Sequence, residues 1–88
     1  MRDGGRIAAA IEVLGDVERT RRPVQDALKD WGLAHRFAGS KDRSAIGNLV
    51  FDVLRRRASL AAIMGSDSPR ALALAAAVRL WGRGVESL

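Results

Sequence analysis

Apolar residues recur along most of the chain at the three-to-four-residue spacing of an α-helix, and no stretch alternates as a strand does. A first helix is predicted over about residues 5–19. Its apolar face comprises Ile7, Ala10, Ile11, Leu14 and Val17. Pro23 suits the first turn of a second helix, where its missing N–H has no role, and Gly32 is expected to end that helix. The apolar positions of the second helix are Val24, Ala27, Leu28 and Trp31.

The third helix has the clearest apolar stripe. Ser40 is expected to be its N-cap, and Asp42 places an acid in its first turn, where the helix dipole favours one. The stripe comprises Ile46, Leu49, Val50, Val53 and Leu54. Gly47 lies at its edge, which predicts close packing there. Continuing the stripe places Arg57 at an apolar position, so either the helix bends or ends there, or this side chain extends along its own stem to water.

A short further helical segment is predicted up to Gly65. Its apolar positions are Leu60, Ile63 and Met64. Ser68 and Pro69 then predict the start of a last helix, which is expected to stop near Gly82 or Gly84. The predicted inward face of this helix is Ala71, Leu74, Ala75, Val78 and Trp81. Four or five helices joined by short loops make the fold class all-α, a small helical bundle with residues 1–88 as a single domain.

The last helix also carries apolar residues outside that inward face, Leu72 and Leu80. Apolar residues on more than one side of a helix predict burial against something beyond this sequence. We therefore expect either a missing downstream segment or a partner chain to cover this helix.

Composition excludes several classes of function. The chain has no Cys, which removes disulfide frameworks, thiolate zinc sites and cysteine nucleophiles. A single His and the lack of paired Glu residues leave little for a catalytic metal site. The apolar runs are too short to cross a bilayer, and no signal peptide is recognisable, so a cytoplasmic location without membrane contact is expected. On its own the chain is not expected to be an enzyme.

The net charge of the chain indicates what class of partner it is expected to bind. Lys and Arg number 15 against 10 Asp and Glu, giving a net charge of +5, and all but two of the basic residues are Arg. The guanidinium group is a planar fork of donors that suits phosphate oxygens. A small basic domain therefore predicts binding to nucleic acid or to an acidic partner. The alternative is a solvated positive surface that only maintains solubility.

The basic residues form three groups, at the first interhelical corner, around the loop into the third helix, and at the end of that helix. The candidate RNA-contacting residues in these groups are Arg19, Arg21, Arg22, Arg36, Lys41, Arg43, Arg55 and Arg56. The start of the third helix also offers backbone N–H groups to one phosphate. For the last group, the alternative is compensation of the helix dipole with ion pairing to Asp52.

The remaining polar and aromatic candidates have structural explanations. His35, Ser40 and Asp42 are the residue types of a catalytic triad, but nearness in sequence gives no evidence for its geometry, and no catalytic or metal-binding residue is assigned. Aromatic side chains can stack on bases. Trp31 and Trp81 lie on apolar stripes and are expected to pack in the core. Phe51, off the main stripe, is expected to be buried against a second helix layer, and Phe37 lies in the loop.

Three segments of the chain carry a family resemblance. They are RIAAAIEVL at residues 6–14, DWGLAHRFAGSKDRSAIGNLVFDVLRRR at residues 30–57 and SPRAL at residues 68–72. Together they resemble the N-terminal part of bacterial RsmB/Sun-type RNA cytosine-C5 methyltransferases, most of all the alphaproteobacterial form. The loop over residues 36–43 and the run over residues 52–57 are the more specific parts.

The resemblance implies a NusB-like helical module that precedes a Rossmann-like methyltransferase domain. It implies an RNA-contacting or domain-orienting role in the modification of ribosomal RNA. The two catalytic cysteines and the glycine-rich cofactor loop of the family belong to the later domain, so S-adenosylmethionine is expected only there and no cofactor is expected in this chain. Because the NusB-like module is usually longer, the chain is expected to be an N-terminal fragment or a truncated homologue.

The leading hypothesis is therefore an RNA-binding accessory domain of an rRNA methyltransferase that contacts phosphates through Arg and Lys. Its expected partners are RNA, ribosomal by the resemblance, and a downstream methyltransferase domain or another protein that packs on the last helix. One alternative is a free-standing NusB-like factor in transcription antitermination or ribosome assembly. Another is a structural, protein-docking helical bundle that binds no RNA.

Overall fold

A computed structural model describes residues 2–82, which form five α-helices and no strand. The helices are α1 (Asp3–Thr20), α2 (Val24–Ala34), α3 (Ser40–Arg55), α4 (Arg57–Met64) and α5 (Pro69–Trp81). The predicted all-α bundle is confirmed. Within this part of the chain, none of the helices combines the length and the apolar character needed to cross a membrane. The alternative stop of the last helix at Gly84 lies outside the described residues.

Contacts between helix ends define the topology. Arg6 of α1 pairs with Asp42 of α3, so the two helices begin side by side and run parallel. Trp31 near the end of α2 donates to Glu12 in the middle of α1, and α2 runs antiparallel to α1. α5 begins beside the ends of α1 and α3, and it therefore runs antiparallel to both. The Cα atoms span 33 × 31 × 15 Å, which corresponds to two helix layers.

Two glycines differ from their sequence-based interpretation. Gly32 does not end α2, which continues to Ala34. A Cβ at Gly32 would lie 3.4 Å from Cδ of Arg43, a contact with a flexible side chain of α3. Gly47 was predicted to mark close packing, and that prediction is wrong because a Cβ there would meet no atom within 4 Å.

Side-chain hydrogen bonds support the starts of α3 and α5. Gly39 is the N-cap of α3 and Ser40 is its first helical residue, so Ser40 is not the cap that the sequence predicted. Asp42 instead forms the reciprocal bond of a capping box, because its Oδ2 accepts a hydrogen bond from the Gly39 N–H at 3.3 Å. At α5 the predicted cap is confirmed, since Ser68 Oγ accepts from the Ala71 N–H at 3.2 Å.

The long basic run is divided between two helices. α3 ends at Arg55, and Arg56 has φ −119° and ψ 24°, which is outside helical geometry. α4 then starts at Arg57 and ends at Met64, and it is followed by Gly65, whose φ of +66° is left-handed. The predicted bend or end near Arg57 is therefore confirmed, and Gly65 ends the short segment as expected.

The core lies between α1, α3 and α5. Its fully buried large side chains are Val13, Ile46, Leu49, Val50, Val53, Leu60 and Leu72. The predicted stripes of α1, α2 and α3 all face this core, except that Leu54 remains 37% exposed. Both tryptophans pack partly buried against it, as predicted.

The predicted inward face of α5 is correct only in part, because Leu74, Ala75 and Trp81 pack partly buried against the core but are not its most buried residues. The buried residues of this helix are Leu72, Ala73, Ala76 and Ala77, whereas Val78 is 49% exposed. α5 is apolar around most of its circumference, so periodicity cannot select one side of it. Its contacts with α1, α3 and α4 decide which side is buried.

Candidate functional site

The corner between α2 and α3 is built from three aromatic rings. His35 follows α2, and its backbone N–H donates to the carbonyl of Trp31 at 2.9 Å. The His35 ring stacks on Trp31 with centroids 4.2 Å apart, and Phe37 meets His35 edge-on at 5.8 Å. Ala38, which belongs to the loop, is buried. This arrangement fixes the loop and leaves the Phe37 side chain 74% exposed.

Three cations surround this corner, and we call them the corner cations: Arg36, Lys41 and Arg43. All three are exposed, and their side chains form no hydrogen bond or ion pair with any residue of the described range 2–82. The aliphatic stem of Arg43 lies against α2 at Gly32, which restricts its position. The corner therefore presents positive charge that no described acid neutralises.

A carboxylate of the chain itself occupies the start of α3. Asp42 accepts from the Gly39 N–H and from Nε of Arg6 at 2.9 Å. The hydrogen bond from Arg6 lowers the pKa of Asp42, and the bond from Gly39 acts in the same direction. The negative charge of Asp42 competes with an external phosphate for this helix end. Any anion at the corner is therefore held by side chains rather than by the first N–H groups of α3.

The first basic group is mostly paired with acids. Arg19 Nη2 lies 3.1 Å from Asp16 Oδ1. Arg22 donates to Asp30, which raises the pKa of Arg22, and its Nη1 lies 3.6 Å from Asp16 Oδ2. Arg21 is exposed in a left-handed conformation with φ 58°, and it forms no ion pair within residues 2–82. Within residues 2–82, Arg21 is therefore the one member of this group whose charge no acid compensates.

The basic residues at the end of α3 also differ in whether an acid lies nearby. Asp52 is buried, with 4% of its surface exposed. Arg79 of α5 donates to both of its carboxylate oxygens, which raises the pKa of Arg79. Arg56 Nε approaches the same carboxylate at 3.4 Å. Arg55, in contrast, is exposed and has no ion pair with a described residue.

A groove between α3 and α5, which sequence reasoning missed, lies beside Arg55. It has a volume of about 370 Å³. We call it the α3–α5 groove, and its principal lining residues are Asn48, Phe51, Arg55, Arg79, Leu80 and Trp81. Phe51 is 37% exposed in this groove, so its predicted burial against a second helix layer is wrong. The sequence alone could have indicated this groove, because the spacing of Asn48, Phe51 and Arg55 places all three on one side of α3.

His35, Ser40 and Asp42 do not form a catalytic triad. Within the described part of the chain, no hydrogen bond joins His35, Ser40 and Asp42. His35 Nδ1 lies 2.9 Å from the Trp31 carbonyl oxygen, while Asp42 pairs with Arg6. Residues 2–82 also contain no group of three His, Asp or Glu side chains placed to hold a metal ion.

No protein-family model matches this chain, and neither a curated protein nor a solved structure matches it. Its function is therefore inferred from its own residues and their geometry.

Proposed function

We propose that this chain is an RNA-contacting helical module that serves as the N-terminal accessory domain of an S-adenosylmethionine-dependent rRNA (cytosine-C5) methyltransferase. The observation that carries this proposal is the α2–α3 corner, where Arg36, Lys41 and Arg43, which form no ion pair within residues 2–82, flank the exposed Phe37 along the chain. Cations that track phosphates, combined with an aromatic face for stacking, are the basis of single-stranded RNA binding. The resemblance to RsmB/Sun-type methyltransferases, with a NusB-like fold, includes this whole corner within residues 30–57.

The corner is held in place before any ligand binds. The stacked rings of Trp31 and His35 anchor one side of the loop, and the Arg6–Asp42 pair anchors the start of α3. A preorganised surface loses less conformational entropy when a ligand binds, so the binding free energy is more favourable. Such a surface discriminates RNA by shape and by unpaired bases rather than by reading a helical groove.

The proposal predicts a steep dependence of binding on salt. Each phosphate neutralised on a single strand contributes about 0.7 to the slope of log K against log salt concentration. Three corner cations therefore account for a slope of roughly −2. Changing one of them to Glu is expected to weaken binding severalfold at low salt and to reduce the slope by about 0.7.

Fluorescence anisotropy with a ribosomal RNA fragment that contains unpaired bases, measured over a salt series, tests this. The variants are Arg36→Glu, Lys41→Glu and Arg43→Glu. Arg70→Glu is the matched control, because Arg70 is exposed and unpaired with any described residue, and it lies at the start of α5, away from the corner. The proposal fails if the chain binds no RNA at low salt, or if the control weakens binding as much as the corner variants do.

A protein-docking role is the second candidate, and exposed apolar side chains on α4 and α5 favour it. Ile63 is 76% exposed, Met64 42% and Val78 49%. Apolar surface of this kind commonly marks a protein contact. Mixing the chain with a separately produced methyltransferase domain, followed by size-exclusion chromatography, tests this role. Complex formation that Ile63→Asp abolishes, together with no RNA binding, would favour docking over RNA contact.

A further inference from the structure

We propose that the α3–α5 groove binds one unpaired nucleobase of the RNA, together with the phosphate attached to that nucleotide. This inference rests on the proposed RNA-binding function and adds a second contact to it. It is carried by three side chains on one side of α3, namely Asn48, Phe51 and Arg55, none of which has a hydrogen-bond or ion-pair partner within residues 2–82.

Each of the three side chains matches one part of a nucleotide. The half-exposed ring of Phe51 offers a face for base stacking, which is tolerant of base identity. The Asn48 amide has both donors and an acceptor, as the edge of a base does. The Arg55 guanidinium suits a phosphate. The groove volume of about 370 Å³ lies within the usual range for small-ligand sites.

Two arginines line the groove, and their ion pairing explains why Arg55, and not Arg79, is the phosphate ligand. Arg79 lines the groove but is committed to the buried carboxylate of Asp52. Its charge is thereby compensated, and its position is fixed as part of the wall. Arg55 also lines the groove and has no ion pair within residues 2–82, so its charge is available to a phosphate.

A nucleotide fits this groove better than an apolar peptide does. A peptide that covered Phe51 and Leu80 would also bury the Asn48 amide and the Arg55 guanidinium, and burying such groups without partners is costly. A nucleotide supplies hydrogen-bonding atoms to both groups while its base covers the ring.

The groove is continuous with the corner. Lys41 precedes Asn48 by seven residues, about two helical turns, so both lie on the same side of α3. The distance along the helix axis from Lys41 to Arg55 is about 21 Å at 1.5 Å per residue. A single strand that contacts the corner cation Lys41 can therefore follow α3 into the groove.

Photo-crosslinking locates the base. The full chain is irradiated with a short single-stranded RNA that contains one 5-iodouridine, and the adduct is mapped after trypsin digestion. We expect the crosslink on the peptide of residues 44–55, which contains Phe51. Phe51→Leu keeps apolar bulk but removes the ring, and it should abolish this crosslink and weaken affinity at least about five-fold. Asn48→Ala should weaken affinity for the normal strand more than for a strand with an abasic site.

Leu54→Ala is the matched control, because Leu54 is equally exposed on α3 at 37% but lines a different cavity, between α1, α3 and α5. The absence of any crosslink on residues 44–55 or on the groove residues Leu80 and Trp81 would overturn the inference, as would equal affinity of the wild type and Phe51→Leu. If the corner variants still weaken binding in that case, the proposed function stands without the groove. Loss of binding to the methyltransferase domain, rather than to RNA, in Phe51→Leu would assign the groove to a protein partner. A chain that binds no RNA at all would overturn both proposals.

Discussion

At the scale of single residues, the cationic side chains differ in whether an acid lies within reach. The predicted RNA-contacting residues without an ion pair in the range 2–82 are Arg21, Arg36, Lys41, Arg43 and Arg55. Arg22 differs from Arg21 because Asp30 on α2 and Asp16 on α1 both lie within reach of it. A guanidinium that is already paired has part of its charge compensated and some of its donors occupied, so the unpaired cations are the better phosphate ligands.

Gly47 provides a test of helix propensity. A glycine inside a helix costs roughly 0.5–1 kcal/mol relative to alanine. A Cβ at Gly47 would meet nothing within 4 Å, so Gly47→Ala should raise the free energy of unfolding by roughly that amount. Urea denaturation followed by circular dichroism measures this.

Gly65 is the matched control for that substitution. A Cβ there also meets nothing within 4 Å, but the φ of +66° is strained for alanine. Gly65→Ala should therefore lower the free energy of unfolding by about 1 kcal/mol. Equal stabilisation at both positions would contradict the explanation.

At the scale of helices, polar contacts between distant segments hold the elements in register. Arg6 joins the start of α1 to the start of α3 through Asp42, and Arg79 joins α5 to α3 through Asp52. Trp31 Nε1 donates to Glu12 at 2.7 Å and joins α2 to α1. These contacts join neighbouring helices beside the corner and the groove, so they help to hold both sites in position.

The Arg6–Asp42 pair makes stability depend on pH. Arg6 lowers the pKa of Asp42 below its usual value of 3.8. A carboxyl with a depressed pKa in the folded state contributes stability that is present above its unfolded pKa and is lost as the pH falls through the folded pKa. Asp42→Asn should lower the Tm at pH 7, and its difference from the wild type should shrink as the pH is lowered below about 4.

Thermal melts at a series of pH values measure this difference. Asp26→Asn is the control, because Asp26 also lies in the first turn of a helix but forms no hydrogen bond or close ion pair with a described residue. A constant difference in Tm between Asp42→Asn and the wild type across the acid range would show that the lowered pKa does not contribute to stability.

At the scale of the whole molecule, small side chains set the spacing of the layers. Ala73, Ala76 and Ala77 of α5 are fully buried at 0% exposure, as is Ala10 of α1. Alanine at such positions lets helices approach closely, and the close approach supplies dispersion contacts that a core poor in aromatic residues would otherwise lack. The thin, two-layer bundle follows from this packing.

Overpacking at this interface should be costly. Ala76→Leu inserts a large side chain where no space remains, and it should lower the free energy of unfolding by about 1–3 kcal/mol. Ala62→Leu on the exposed side of α4 is the control and should change stability by less than about 0.5 kcal/mol. Urea denaturation of both variants tests this, and similar losses in the two would contradict the packing explanation.

The sequence by itself determined the local structure of this protein. Helical spacing predicted the helices and the buried stripes of α1, α2 and α3, and Ser68, Pro69 and Gly65 predicted boundaries correctly. These features depend on backbone propensity and on neighbours within one or two turns, so a linear pattern contains them. The basic residues around the predicted loop also indicated the candidate corner at residues 36–43.

Only the tertiary structure decided which faces and charges remain available. The buried side of α5 could not be predicted because that helix is apolar on several sides, and its neighbours select the side that is buried. The pairing of Asp52 with Arg79 joins residues 27 positions apart, and the α3–α5 groove exists only where the two helices meet. Contacts between distant segments are set by packing of the whole chain, and this is why the partners of each cation and the exposure of Phe51 emerged only in three dimensions.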